Sequence, residues 1–402
     1  MVRFPQFILF LSFIILMISS CSDSSPTPDE DLVEYDSIPT ISIQTAGSIP
    51  WDKKKECLTF FMDKGDTIEI GARIKCRGGM SSRYEKHSYS IEFDEYLKIG
   101  GAPADDDWIL NASYIDKTFQ RHKLSYDLYR QMDTNNVASK CEYIKVLLNG
   151  KYIGLYIAMQ EINGSMIGLD KTDPNAMLFK DPPIFYDDPL TVFSDSINPY
   201  QQKFPKIKLS PRTQFLDEFN AFLFSTTDEE FEEFIGDWID LENVLNWHLI
   251  LLLSNNDDGL FKNFYLYRLN AEKPMRIAIW DYDHSFGRDS DGTLNRMEEE
   301  IRWERILLLS RLMDSEALNY AGKLKMKWFE LREDLFTKET IESMMDENTK
   351  VLQPNLKENF EKWPLESKWY KDGNNYDQEI KIMKDYLEMR LNYLDDFMEK
   401  LD

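Results

Sequence analysis

Residues 255–287 read NNDDGLFKNFYLYRLNAEKPMRIAIWDYDHSFG, and acidic and amide side chains gather at both ends of two strand-like runs in this stretch. The runs, residues 263–268 and 276–280, predict a β-hairpin with a longer loop, which brings Asn263 and Asp281 to the same end of a two-stranded ribbon. Carboxylate and amide oxygens are ligands for hard cations such as Mg²⁺. The stretch therefore predicts a hairpin that holds a metal site, with the rest of the chain arranged around it.

A predicted helix, residues 241–253, precedes the hairpin and is apolar nearly all round, so we expect it to be buried. Asp257 and Asp258 follow its carboxyl end, where negative charge opposes the helix dipole by up to about 1 kcal/mol in exposed cases. A bound cation would remove this conflict. Asp258 and Asn263 have the D-x-x-x-x-N spacing with which protein kinases combine a catalytic base and a metal ligand. With Asp281, these residues suggest a site for the magnesium of a nucleotide.

The first 20 residues predict a signal peptide. Arg3 precedes an apolar run, residues 7–18, which is too short to span a bilayer comfortably, and small residues then precede Cys21. This pattern resembles a bacterial lipobox, which implies cleavage before Cys21 and lipid attachment to its thiol. An uncleaved anchor helix is the alternative. Residues 21–36 are rich in Ser, Pro and acid, the composition of a flexible tether, so the folded domain is expected from residue 37 to 402.

The composition predicts an ordered and acidic protein. At 402 residues and 43% hydrophobic, the chain can bury a sizeable core. The 47 basic and 71 acidic residues give a net charge of -24, which opposes binding to nucleic acid and favours basic partners. An acidic surface is also an ordinary means of staying soluble. Paired carboxylates fit a glycosidase too, although that reaction gives no role to an amide at the D-x-x-x-x-N spacing.

Residues 38–93 alternate with a period of two, which predicts β-strands. In residues 66–77, five apolar side chains share one face: Ile68, Ile70, Ala72, Ile74 and Cys76. Residues 87–93 repeat the pattern. Between these strands, Gly78 and Gly79 begin a connection with exposed backbone N–H groups, which is either a cover for phosphates or an ordinary hairpin turn.

Two further strands, residues 143–148 and 151–159, are joined by Asn149 and Gly150, the strongest short hairpin signal in the chain. Helical spacing covers residues 117–132. Ser210 and Pro211 are predicted as the N-cap and first residue of another helix, after a Pro-rich connection over residues 181–205. From about residue 298 the chain predicts charged supporting helices, broken near Pro354 and Pro364.

Six motifs in series resemble the CotH (spore-coat protein H) kinase family. They are Arg77-Gly78-Gly79-Met80-Ser81-Ser82 with Lys86-His87-Ser88-Tyr89, Trp108-Ile109-Leu110 with Asp116 and Arg121, Leu148-Asn149-Gly150-Lys151-Tyr152-Ile153-Gly154, Glu161, Asp258 with Asn263, and Trp280-Asp281-Tyr282-Asp283 ending in Phe286-Gly287. Each motif alone is weak, whereas their order over about residues 70 to 290 is specific.

The resemblance implies an α+β, atypical protein-kinase-like fold. Its β-rich lobe would cover about residues 37–165, its mainly helical lobe with the catalytic hairpin about 206–297, and its C-terminal helices about 298–402. The implied activity is transfer of the ATP γ-phosphate, with Mg²⁺ or Mn²⁺, to serine or threonine of exported or surface proteins, with basic or serine-rich proteins as substrates. The implied location is the cell envelope, at the periplasmic side or the outer-membrane surface, held by lipid.

By the same resemblance, each predicted site residue has a role. Lys86 would contact the nucleotide phosphates, Glu161 would support Lys86, and Gly78 and Gly79 would cover the nucleotide. Asp258 would be the catalytic base, with its neighbour Asp257 as the alternative, while Asn263 and Asp281 would hold the metal. Some family members act as surface adhesins, so the competing hypothesis is a non-catalytic surface binding protein on the same scaffold. The complete set of base and metal ligands favours the enzyme.

Overall fold

Seven strands in the first part of the chain form a closed barrel with the order β1-β2-β3-β4-β5-β7-β6. The strands are β1 (Thr40–Gln44), β2 (Lys55–Asp63), β3 (Asp66–Arg77), β4 (Ser88–Leu97), β5 (Asp105–Asn111), β6 (Cys141–Leu148) and β7 (Lys151–Gln160). Neighbouring strands are antiparallel except β1 and β6, whose parallel pairing closes the ring. The barrel encloses a core of its own, built from the inward residues of all seven strands.

The architecture is that of a computed structural model, which describes residues 38–185, 198–289, 293–297, 300–364 and 372–401. The predicted signal peptide, the tether and the lipidated Cys21 lie outside the described residues. Within the described parts of the chain, no helix combines the length and the apolar composition needed to cross a membrane.

The period-two predictions hold for the barrel strands. Ile70, Ala72, Ile74 and Cys76 of β3 are buried, as are alternate residues of β4. Ile68 is 49% exposed, contrary to the predicted pattern, because the first four residues of β3 extend beyond the packed part of the barrel. The hairpin between β6 and β7 is confirmed, and both of its turn residues have positive φ angles, as a tight hairpin turn requires.

A second sheet contains four strands in the order β11-β10-β8-β9. They are β8 (Met177–Lys180), β9 (Gln202–Phe204), β10 (Phe264–Arg268) and β11 (Arg276–Ile279). The predicted hairpin is confirmed as β10 and β11, which pair antiparallel. Strands β8 and β9 were not predicted, and β9 lies in the stretch interpreted as a connection, because runs of three or four residues are too short to show a period.

Ten helices complete the described chain. They are α1 (Arg121–Met132), α2 (Gly164–Ile167), α3 (Thr213–Ser225), α4 (Asp228–Trp238), α5 (Leu241–Ser254), α6 (Asp258–Phe261), α7 (Leu307–Asp314), α8 (Tyr320–Arg332), α9 (Lys338–Lys362) and α10 (Tyr376–Glu399). Almost every residue of α5 is buried, which confirms the prediction made from its apolar surface. Helix α1 begins four residues later than predicted because Phe119 has a φ of 56°, outside the helical region.

The predicted start of α3 at Ser210 and Pro211 is wrong, since the helix begins at Thr213. The side chain of Gln202 explains the difference. Its Nε2 donates to the carbonyl of Ser210 at 2.8 Å, and its Oε1 accepts from the backbone N–H of Arg212 at 2.7 Å. These two bonds engage backbone groups of residues 210 and 212, which lie outside the helix, and so delay its start.

The predicted break at Pro354 is also wrong, because α9 continues through this residue to Lys362. Proline removes one hydrogen bond from a helix interior and costs about 3 kcal/mol there. Leu352 and Leu356 are buried on either side of Pro354, so packing of this face offsets the cost. The helix does end before Pro364.

The α+β class, with a β-rich N-terminal region and helices towards the C-terminus, is confirmed. A closed seven-stranded barrel, however, is not a protein-kinase lobe of the usual kind. The expectation of a kinase-like fold therefore stays a prediction.

Candidate functional site

A cleft of about 300 Å³ brings together residues from the barrel and from the predicted hairpin. Among the residues that line it are six of the predicted site residues, namely Gly78, Gly79, Lys86, Asp258, Asn263 and Asp281. Glu161 does not line this cleft; it lines a separate cavity of about 210 Å³. The cleft therefore brings together residues that are about two hundred positions apart in the chain, as a binding site built from two regions does.

The β10–β11 hairpin places Asn263 and Asp281 at the same end, as predicted. Nδ2 of Asn263 donates to the carbonyl of Asp281 at 3.0 Å, and the N–H of Trp280 donates to the carbonyl of Asn263 at 2.9 Å. Asn263 and Asp281 have φ angles of 63° and 60°, in the left-handed region that few non-glycine residues adopt. Because Nδ2 of Asn263 is used, its Oδ1 is the atom left for a cation.

Helix α1 fixes the backbone that follows β11. The hydroxyl of Tyr126 accepts from the N–H of Asp281 at 2.7 Å, and Nδ1 of His122 accepts from the N–H of Tyr282 at 3.0 Å. Both side chains are buried, so the carboxylates at positions 281 and 283 project from a firmly held segment. Neither role of α1 was predicted, because nothing in local sequence shows which side chains meet a distant backbone.

His122, Asp281 and Asp283 each place one ligand atom within 4.8 Å of the others. Nδ1 of His122 accepts a hydrogen bond from a backbone N–H, so the neutral ring carries its proton on Nε2 and has no lone pair there for a metal. The remaining donors are oxygens, from Asn263, Asp281 and Asp283. An oxygen-only set suits Mg²⁺ or Mn²⁺ rather than zinc.

Two neighbours show how strongly negative this corner is. Burial raises the pKa of Asp283, the charge of Asp281 raises it further, and His284 opposes the rise. Burial, together with the charges of Asp283 and Asp281, raises the pKa of Tyr84 to about 12. A cation bound between the carboxylates would offset this repulsion.

Asp258 is the first residue of α6 and forms ion pairs with two cations. Its Oδ2 lies 3.1 Å from Nζ of Lys262 and 3.3 Å from Nδ1 of His284. Burial alone would raise the pKa of Asp258, but the hydrogen bond from His284 and the charge of Lys262 outweigh it and lower the pKa to about 2. Burial lowers the pKa of His284, but the charge of Asp283 and the hydrogen bond with Asp258 raise it by more. The pKa of His284 is therefore raised to about 9.

The neighbouring acid, Asp257, has other surroundings. Its carboxylate lies 3.7 Å from Nη2 of Arg296, and it does not line the cleft. Sequence reasoning left the choice between Asp257 and Asp258 open. It missed the pairing of Asp258 with His284, because these residues are 26 positions apart in the chain. It also missed the pairing with Lys262, although a spacing of four residues, one helical turn, is a signal for such an ion pair.

Lys86 is only 2% exposed, and backbone carbonyls surround its ammonium. Nζ donates to the carbonyl of Ala112 at 2.8 Å and to that of Leu155, and it lies 3.3 Å from Oδ1 of Asn359 in α9. Burial lowers the pKa of Lys86 well below its usual value. Gly154 is required beside it, because a Cβ there would lie 2.8 Å from Cε of Lys86.

The predicted support of Lys86 by Glu161 is not found in the described residues. The partners of Lys86 are the carbonyls and the amide named above, and Glu161 lies in the second cavity with Lys180, Lys203 and Tyr265. The two side chains contact different groups in the described chain, so the structure lends no support to the pairing that the resemblance implies.

The glycine connection lines the cleft but is not a tight hairpin turn. Arg77 and Ser88 are the last paired residues, and the residues between them include a 3₁₀ turn, Met80–Arg83. Gly78 has a φ of 129°, and a Cβ there would lie 2.2 Å from Oγ of Ser81. Glycine is therefore needed at position 78, whereas a Cβ at Gly79 would meet open space.

Comparison with known proteins covers most of this structure. A family model described as CotH kinase protein matches residues 74–394, from β3 to α10. The inner spore coat protein H of Bacillus subtilis (strain 168) is 25% identical over 336 residues, which is 82% of this chain and 87% of that protein. The matched region contains the whole cleft.

Proposed function

Because this chain belongs to the CotH kinase protein family, we propose that it is an atypical protein kinase that transfers the ATP γ-phosphate to serine or threonine of exported or surface proteins. One observation carries the proposal. The cleft is lined by Asp258, Asn263, Asp281 and the Gly78–Gly79 connection, so the residues proposed as base, metal ligands and nucleotide cover lie close together, which supports the proposal. The proposal extends to a kinase-like arrangement of the fold, with a β-rich and a helical region on either side of the nucleotide.

Asn263, Asp281 and Asp283 would hold the divalent cation, since all three offer oxygen and the two carboxylates repel each other without one. When bound, the metal nucleotide supplies the phosphoryl group and the positive charge that stabilises its transfer. The protein's own contribution is to fix these oxygens. The backbone bonds from residues 281 and 282 to α1 do so.

Asp258 would accept a hydrogen bond from the hydroxyl of the substrate and orient it. With a pKa of about 2, its carboxylate is ionised at neutral pH but weakly basic, so orienting the nucleophile is a larger part of its role than removing the proton early. Lys262 and His284 hold the carboxylate in position. Gly78 and Gly79 would cover the phosphates with backbone N–H groups.

The net charge of -24 supports a basic or serine-rich protein as the substrate. The relative from Bacillus subtilis is named for a spore coat, which supports a surface-associated location for this chain as well. We propose lipid attachment at Cys21 and a place in the cell envelope on the sequence pattern alone.

Calorimetry of ATP binding to the full chain, with and without Mg²⁺ or Mn²⁺, tests the proposal. We expect binding that requires the metal and is lost in Asp281→Ala, whose side chain is 48% exposed and can be removed without a cavity. Asp66→Ala, the same change at an exposed aspartate that begins β3, should bind as the wild type does. Absence of binding by a folded wild type would favour the alternative, a non-catalytic surface binding protein.

A further inference from the structure

Two cations lie beside the indole ring of Trp280, the residue that precedes the metal ligand Asp281. The guanidinium carbon of Arg77 and Nζ of Lys180 are each 5.6 Å from the centroid of this ring. Both residues line the cleft. Arg77 ends β3 and Lys180 ends β8, so two different sheets bring positive charge to one position.

These cations are almost without partners, although the chain has far more acids than bases. Across the described parts of the chain, the guanidinium of Arg77 forms no hydrogen bond or ion pair, and the one carboxylate within 4.0 Å of Nζ of Lys180 is that of Asp181. The half-buried guanidinium of Arg77 has five donors that no protein group takes in the described chain, so water or a ligand in the cleft supplies their partners. Such a group beside a metal site is suited to an anion that arrives with the metal.

Lys86 cannot take this role with its observed contacts. Its ammonium is occupied by two backbone carbonyls and Asn359, and the rings of Phe119 and Tyr156 lie 4.9 Å and 4.6 Å from it. Reaching a ligand would mean giving up these partners. Its bond to Ala112 instead fixes the turn that follows β5.

That turn presents an unused donor to the same cleft. Ser113 is 6% exposed, lines the cleft, and has a hydroxyl without a hydrogen-bond partner in the described structure. Its backbone is held by Oδ1 of Asn111 at 2.7 Å and has a φ of 46°. A buried hydroxyl that has no partner is unfavourable unless a ligand or water supplies one.

We propose that Arg77, Lys180 and the hydroxyl of Ser113 bind the polyphosphate chain of the nucleotide, and that Lys86 positions the turn of Ser113 without touching the ligand. This inference rests on the proposed kinase function. It assigns the phosphate contacts to residues on the rim of the metal site, and it makes Lys86 a positioning residue.

The test is calorimetry of ATP and AMP on the full chain in Mg²⁺, with the variants Lys180→Gln and Arg77→Gln. Loss of one charge-assisted contact should weaken ATP binding about tenfold, while AMP, which lacks the outer phosphates, should be weakened much less. Lys98→Gln is the matched control, because Lys98 is exposed and outside the cleft. Thermal unfolding of each variant checks that the fold is retained.

The outcomes separate the two proposals. Metal-dependent ATP binding by the wild type, with a reduced preference for ATP over AMP in both variants, supports the inference. Binding of ATP by both variants within about twofold of the wild type would overturn it and leave the kinase proposal standing. Equal weakening in Lys98→Gln would also overturn it, since net charge would then be the cause, and no binding by the wild type would remove both proposals.

Discussion

Asp257 and Asp258 show at the residue scale how neighbouring acids acquire different roles. Asp258 lines the cleft and pairs with Lys262 and His284, whereas Asp257 turns towards Arg296. The sequence marked both acids by their position after a helix, but their surroundings depend on residues distant in the chain. The spacing in the sequence thus reduced the candidates for the base to two adjacent residues, and only the folded structure distinguishes their carboxylates.

We expect Asp258→Asn to lower the rate of phosphoryl transfer by about a hundredfold or more, because the amide cannot accept the proton of the substrate hydroxyl. ATP affinity should change little. The measurement is transfer of labelled phosphate from ATP to a basic, serine-containing protein. Asp257→Asn is the matched control and should retain most of the activity; a larger loss in Asp257→Asn would assign the base to that residue instead.

The cysteines allow a second prediction at this scale. Cys57, Cys76 and Cys141 are free, and burial raises the pKa of each thiol, to about 11 for Cys57 and about 12 for Cys141. Because the thiolate is the reactive form, alkylation of Cys141 at pH 8 should be about a thousandfold slower than in the unfolded chain. Peptide mass spectrometry after timed iodoacetamide treatment, with and without urea, measures this ratio. Fast labelling in the native state would show local opening of β6.

At the scale of elements, hairpin signals were reliable, signals for helix starts and breaks were less so, and distant pairings could not be predicted. The β6–β7 hairpin followed from two turn residues, and the β10–β11 hairpin from two apolar runs. The parallel pairing of β1 with β6 could not be predicted, because a period of two gives the buried face of a strand but not its neighbour. For the same reason, the sequence did not show that Arg77 and Lys180 both line the cleft, because they belong to different sheets.

Lys86 joins three elements, and we expect Lys86→Met to destabilise the fold by about 2–4 kcal/mol, since two carbonyls and Asn359 lose their donor. Urea unfolding measures the free energy. Lys98→Met makes the same change at an exposed position and should be nearly neutral. Equal effects of the two substitutions would contradict a structural role for Lys86.

The effect of Lys86→Met should also depend on pH. Burial lowers the pKa of Lys86 in the folded protein, so the unfolded chain binds more protons between that pKa and the ordinary lysine value of about 10.4. The free energy of unfolding contributed by Lys86 therefore rises with pH in this window. Urea unfolding at pH 7 and pH 9.5 should show the wild type gaining relative to Lys86→Met, and a difference that stays constant or narrows would mean that Lys86 stays charged in the folded protein.

At the scale of the whole molecule, a buried ionic network connects the site to the C-terminal helices. Glu379 of α10, fully buried, pairs with Arg288 and lies 3.8 Å from Nη2 of Arg121. Arg121 in turn binds Asp116 at 2.6 Å and donates to the carbonyl of Ser285 at 2.9 Å. The last long helix therefore supports the segment that carries the metal ligands, although sequence analysis assigned it no part in the site.

Glu379→Gln removes one carboxylate from two buried guanidinium groups, which then keep only Asp116 and Asp372, so we expect a loss of about 3 kcal/mol in the free energy of unfolding. Glu388→Gln removes a carboxylate from the exposed part of the same helix and should cost less than about 1 kcal/mol. Chemical denaturation of both variants provides the comparison. Similar losses would show that the buried network adds little beyond surface pairing.

The parallel contact of β1 with β6 also constrains how the chain folds. Thr40 pairs with Lys145, across roughly a hundred intervening residues, whereas the other barrel contacts join strands that are closer in the chain. The hairpins can form early from local contacts, and the ring closes only when its first strand meets its sixth. Until then two strand edges remain open, and open edges are the surfaces through which unfinished chains pair with one another. The pairing of β1 with β6 is consequently the step at which aggregation competes most directly with completion of the fold.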